Sequence, residues 1–171
     1  MRDFHEITLD GMPFVDIIKQ YKTLALVGRR KPLVEADLSN TNLRGVDLSN
    51  LTFADANFTN SDLWLADLSL VRFIASNFGR ARLEEANLSG AIFQICDFNN
   101  ANLRGANLVN ATFDEVNLCG ADLRHVKLFV TVAENITYDD DTLWPKGLEE
   151  YGIEINKMAT WKKVKSRFDG S

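Results

Sequence analysis

The side chains of this sequence with the greatest capacity for chemistry are Cys96, Cys119, His5 and His125. A thiolate beside an imidazole makes a nucleophile–base pair, and the same groups in sets of three or four bind zinc. Neither arrangement is spelled out by these positions, because no cysteine stands at triad or metal spacing from either histidine. The many Asn and Asp residues suggest calcium, but no EF-hand spacing occurs among them. Glycine patterns that cradle phosphates are missing as well. The expectation is therefore a protein with no catalytic residue, no cofactor and no metal.

Bulk properties narrow the class further. With 171 residues, 46% hydrophobic and 25% charged, the chain reads as one folded, soluble domain. The formal charge of -5 is mild and argues against a general nucleic-acid binder. No apolar run is long enough to cross a bilayer, so no membrane role is expected. The first residues, MRDFHEITLDGM, lack the apolar core of a signal peptide. With only two cysteines, a cytoplasmic location is expected.

The polar residues acquire a role once the spacing is followed. From Leu38 to Leu128 a Leu or Phe recurs every five residues, 19 times without insertion or deletion. Two positions before each centre stands a small residue, Ala in ten units. One position before it stands Asn or Asp in 13 units. The large and small apolar residues are expected to point inward, with the short polar residue at a bend. Gly45, Gly90, Gly105 and Gly120 fall on the last position of their units, a further bend-tolerant choice.

A second period of twenty lies inside the first. Phe53, Phe73, Phe93 and Phe113 form one column, and Phe58, Phe78 and Phe98 the next. The other two columns of centres from Leu43 onward are all Leu. Thr52, Arg72, Ile92 and Thr112, which break the Asn/Asp rule, are also twenty apart. A coil of four units explains both, since residue n then stacks on residue n + 20. Cys96 falls on an inward position and is expected to be buried, whereas Cys119 and His125 fall on outward ones.

Units such as ADLSN, ANLSG, ANLRG and ADLRH resemble those of the pentapeptide repeat proteins over residues 36–130. The resemblance extends to cyanobacterial members. It implies an all-β solenoid, a right-handed quadrilateral β-helix of about five coils. The expected domains are an N-terminal helical cap over 1–32, the β-helix over 33–130, and a C-terminal cap and basic tail over 131–171. Phe14, Ile17, Ile18, Tyr21 and Leu24 follow helical spacing and fit a cap. Leu143 and Trp144 are expected to close the other end. Met158, Trp161, Val164 and Phe168 are read as one face of a basic terminal helix.

Specificity then has to come from the outward positions. Most are Ser, Asn, Gly or charged, but Trp64, Leu65, Leu70, Ile74, Ile92 and Ile95 are apolar. The twenty-residue register puts Ile74, Ile92 and Ile95 on one wall beside Arg72, and Trp64 and Leu65 on the opposite one. Trp64, Leu65, Arg72, Ile74, Ile92 and Ile95 are therefore the expected partner-binding residues of a scaffold or regulatory module that acts as a monomer or weak homodimer. The resemblance implies regulators of cell differentiation as one precedent. It also implies an alternative, a mimic of duplex DNA that binds DNA gyrase. Against the latter, residues 36–130 hold 11 acids and 7 bases, and Arg72, Arg80 and Arg82 interrupt the acidic surface.

Overall fold

The structure, a computed structural model, describes residues 32–129, 131–148 and 162–163. The chain divides into two compact units, Met1–Lys31 and Pro32–Ser171, and the second holds every described residue. The helix expected near the N-terminus lies outside the described residues.

Six short strands repeat at intervals of about twenty residues: β1 (Leu33–Val34), β2 (Thr52–Ala54), β3 (Arg72–Ile74), β4 (Ile92–Gln94), β5 (Thr112–Asp114) and β6 (Val132–Glu134). They stack in sequence order as one parallel sheet, with Phe53 opposite Phe73, Phe73 opposite Phe93, and Phe93 opposite Phe113. The other three units of each coil are tied by single parallel bridges in the same register, such as Asp37 to Asn57, Asn42 to Asp62 and Asp47 to Asp67. This is an all-β parallel solenoid of about five turns, and no α-helix occurs among the described residues.

The five-residue unit is built by two local devices. At all 13 Asn or Asp positions the side-chain oxygen accepts the backbone N–H two residues on, as Asp37 does from Ser39 at 3.1 Å and Asn77 from Gly79 at 2.8 Å. Such a bond holds the chain in a tight local bend and competes with extended structure. The last residue of every unit from Glu35 to His125 has a positive φ, between 49° and 73°. In the turn units the carbonyl of the centre residue then accepts the N–H three residues on, as Phe58 does from Ser61 at 3.0 Å. A positive φ at the third turn residue is the mark of a type II turn.

The strand wall departs from this pattern: Thr52, Arg72, Ile92 and Thr112 stand there in place of Asn or Asp, and the backbone runs on as three-residue strands. The missing side-chain bond is not sufficient for this, since Arg82 lacks it too and its unit still turns, with Ala86 N–H donating to the Leu83 carbonyl at 3.1 Å. Beyond the sheet, Ala56 N–H donates to Ser76 Oγ in the next coil at 3.3 Å, not back to its own unit.

Inside, the aromatic columns stack face to face along the axis. Ring centroids lie 5.3 Å apart for Phe53 and Phe73, 5.3 Å for Phe73 and Phe93, and 4.7 Å for Phe78 and Phe98. The two columns meet edge to face, as Phe93 and Phe98 do at 5.1 Å and 79°. Both geometries suit the ring quadrupole. Leucines such as Leu63, Leu83 and Leu103 fill the remaining interior without exposure.

The register continues past residue 130, through β6 and β7 (Thr137–Tyr138). Ala133 stands where the aromatic column would have another Phe. It leaves an apolar cavity of about 50 Å³, lined by Phe113, Leu118, Leu123, Trp144 and Leu148 among others. Trp144 packs edge-on against Tyr138 at 5.7 Å. Leu143 contributes mainly backbone, since its side chain is exposed while its N–H donates to Ala121. The expected terminal helix is corrected where it is described: Lys162–Lys163 form β8, parallel to β7. The strand extends the ladder that Asn117 and Thr137 belong to, and so satisfies backbone groups at the end of that wall. The rest of that segment lies outside the described residues.

Candidate partner-binding wall

The strand wall presents its outward side chains in two columns and a corner. β3 and β4 pair Arg72 with Ile92 and Ile74 with Gln94. Ile95 follows β4 at the corner, one coil on from Ala75, whose N–H donates to Gln94. Arg72, Ile74, Ile92 and Ile95 therefore share one small surface. The Arg72 guanidinium donates across it to Gln94 Oε1 at 2.6 Å, so it lies along the wall.

Ile95 is unusual in two ways. It is a β-branched residue held at φ 57°, in the left-handed region, and its side chain is 58% exposed. Both features cost stability, because the branched Cβ crowds the backbone and the apolar surface stays in water. Equivalent corners elsewhere carry Asn100, Asn110 or Gly120, which suit that backbone better. Beside Ile95 runs a groove of about 430 Å³, lined by Asp97, Glu115, Val116 and Asn117 among others.

Trp64 and Leu65 do not join this surface; they lie two units round the coil. Trp64 is half-buried beneath the Arg44 guanidinium, which sits 4.4 Å from the ring centroid. That contact gives the indole a structural partner. Its neighbours form a charge ladder in which Arg82 reaches Asp62 at 3.2 Å and Glu84 at 3.4 Å. Glu84 Oε1 also accepts from Asn102 at 2.9 Å, while Oε2 is buried without a partner. Further along the same wall, Arg124 pairs with Asp122 at 2.7 Å. The Arg124 hydrogen bond holds the Asp122 carboxyl below its usual range and raises the guanidinium in turn. Leu65 remains 49% exposed at its own left-handed corner. Leu70 is exposed too, but lies across the bare backbone of Gly90, where a Cβ would meet Leu70 Cδ2 at 2.7 Å.

Three further exposed apolar residues were not expected from the sequence, Val34, Phe129 and Val132. Phe129 follows Leu128 at a position that is Ser in three earlier coils, Ser49, Ser69 and Ser89, and that contrast was the available signal. Cys119 is corrected: it is buried, not accessible. The Asp139–Thr142 turn closes over that part of the last coil, with Asp139 accepting from Gly120 N–H and Thr142 donating to the Leu118 carbonyl. Cys96 is buried as expected, and burial pushes its thiol up to about 11. Among the described residues no group of three His, Cys, Asp or Glu side chains is placed to hold a metal ion. No described helix is long and apolar enough to cross a membrane.

Comparison with known proteins follows the repeat. The family model "Pentapeptide repeats (8 copies)" matches residues 33–69, 66–94 and 96–129. Among solved structures, the chain is similar to the pentapeptide repeat protein Rfr23 from the cyanobacterium Cyanothece 51142, with 25% identity and a TM-score of 0.64 over 73% of this chain and 99% of that one. A pentapeptide repeat protein from the Arabidopsis thaliana thylakoid lumen shares 30% identity, with a TM-score of 0.56 over 60% of this chain and 72% of that one. QnrB1, a plasmid-mediated fluoroquinolone resistance protein, is similar in fold, with 22% identity and a TM-score of 0.58 over 62% of this chain and 56% of that one. No curated protein matches the sequence.

Proposed function

The chain belongs to the pentapeptide repeat family, and from that premise we propose that it is a non-enzymatic binding module that presents one wall of its solenoid to a protein partner. The observation that carries this reading is Ile95, an exposed β-branched side chain held at positive φ. The left-handed backbone belongs to the repeat, but an exposed β-branched apolar side chain at that corner does nothing for the fold, and exposed apolar surface of this kind marks a face used for contact. Ile74 and Ile92 widen the apolar area around it, and Arg72 borders it. Trp64 and Leu65 belong to a second, charge-laced wall and are secondary candidates.

Four left-handed corners in each twenty residues support a four-sided coil. The strong preference of parallel crossovers supports a right-handed one. A rod of this kind offers a stiff, regular surface whose specificity lies in a few substitutions at outward positions.

The test is affinity capture from the native cell's lysate with wild type and an Ile74→Asp/Ile95→Asp variant of confirmed circular dichroism. A protein held by wild type and lost by the variant supports the reading. One held equally by both moves the interface to another wall. The gyrase alternative rests on the acidic character of the strand wall, and a supercoiling assay decides it: no inhibition at high protein excess removes it.

A further inference from the structure

We propose that the isoleucine wall receives a basic segment of its protein partner, one in which an aliphatic side chain is flanked by Lys or Arg. This rests on the reading of that wall as the binding face.

The argument comes from where charge is neutralised and where it is not. The strand wall and its corner column carry Glu35, Asp55, Asp114, Glu115 and Glu134 against the single cation Arg72, which is engaged with Gln94. Among the described residues, none of these five carboxylates has an ion-pair partner. Two units round the coil the situation differs, for Asp62, Glu84 and Asp122 are each met there by an arginine. Among the described residues, then, Asp62, Glu84 and Asp122 are balanced on one wall, while the five acids of the strand wall are not.

The imbalance is sharpened by register. Asp114 and Glu134 are directly opposed in adjacent strands β5 and β6, a like-charge pair that weakens the ladder. A cation placed over them removes the repulsion and gains attraction from both. Nearer the isoleucines, the groove beside Ile95 is lined by Asp97, Glu115 and Val116 among others. Its lining of carboxylates beside an exposed isoleucine suits a Lys or Arg side chain, with the stem along Ile95 and the charged head at the carboxylates. An aliphatic neighbour of that cation then covers Ile74 and Ile92. Phosphate-rich partners meet repulsion on this surface, which separates a basic polypeptide from nucleic acid or an anionic membrane.

The experiment pans a phage-displayed random dodecapeptide library on the full chain. Binding of the enriched peptides is then measured by fluorescence anisotropy against wild type, Asp114→Lys/Glu115→Lys and Ile74→Asp/Ile95→Asp. The expected peptides carry Lys or Arg beside Leu, Ile or Val, weaken with added salt, and lose about tenfold or more in affinity on charge reversal. Enrichment of neutral or acidic peptides, or no enrichment, overturns the proposal. Peptides lost on the isoleucine variant but kept on the charge-reversed one also overturn it, while leaving the wall as the binding face. Peptides indifferent to both variants remove the wall itself. Asp114→Lys turns an opposed like-charge pair into an opposite one, so that variant is expected to fold.

Discussion

Replacing Ile95 by Asn is expected to leave the protein at least as stable as wild type, although removing an isoleucine from a repeat array ordinarily destabilises it. Relief of the left-handed conformation is worth up to roughly 1–2 kcal/mol, and Asn recovers much of this because its side chain bonds locally. Against that stands the apolar burial that Asn gives up. Ile95 is 58% exposed, so about two fifths of a full burial is at stake. At about 1.5–3 kcal/mol for complete burial, the loss is about 0.6–1.2 kcal/mol. The two nearly cancel, with a net change between about zero and +1 kcal/mol. The assay is urea unfolding followed by circular dichroism, with the slope checked to be unchanged. Ile136→Asn supplies the contrast, since Ile136 is fully buried and its replacement leaves an unpaired amide in the core at a cost of several kcal/mol. If Ile95→Asn costs more than about 1 kcal/mol, the side chain is holding the fold together and its exposure no longer argues for a partner.

Three other outcomes follow from the interior and the corners. Phe93→Ala is expected to cost about 3–5 kcal/mol in the same assay, because its ring is fully buried between Phe73 and Phe113. Gly105→Ala is expected to lower stability by about 1 kcal/mol or more, since φ is 73° and an added Cβ meets the Glu85 carboxylate; Glu85→Ala in the same chain should recover the steric part but not the backbone part. Cys96 has its thiol raised by burial from 9.0 to about 11, so the native state keeps its proton where the unfolded state has lost it. Stability from this group is complete below pH 9 and declines as pH rises toward 11, by roughly 2–3 kcal/mol, and a Cys96→Ala variant should lack that decline.

Much of the coil was legible because its core has so little freedom. A Phe column can recur every twenty residues only if rings stack on rings, and Phe53, Phe73, Phe93 and Phe113 do so. The meeting of Ile74, Ile92 and Ile95 followed from the same count. The meaning of the phased exceptions at Thr52, Arg72, Ile92 and Thr112 required the backbone: their units form the strands of one wall, whereas the unphased exception Arg82 stays in a turn unit. Outward contacts were harder, because a surface side chain has several neighbours to choose from. Arg44 and Trp64 are twenty apart, so their contact was available from the register, but Arg72 reaches Gln94 across 22 residues and Glu84 reaches Asn102 across 18. The burial of Cys119 depends on a turn at Asp139–Thr142, beyond the last regular unit, where periodicity has nothing to say.

Because each coil is held to the next by backbone bonds such as Leu38 N–H to the Asn57 carbonyl, those bonds lie along the direction in which the two ends of the rod are separated. Tension between the ends loads one coil boundary after another in series instead of shearing many bonds at once. Each boundary that yields frees about twenty residues, roughly 60–67 Å of extended chain once the coil's own rise is subtracted. The stack of coils thus lets out thread in even lengths when pulled, like a spool.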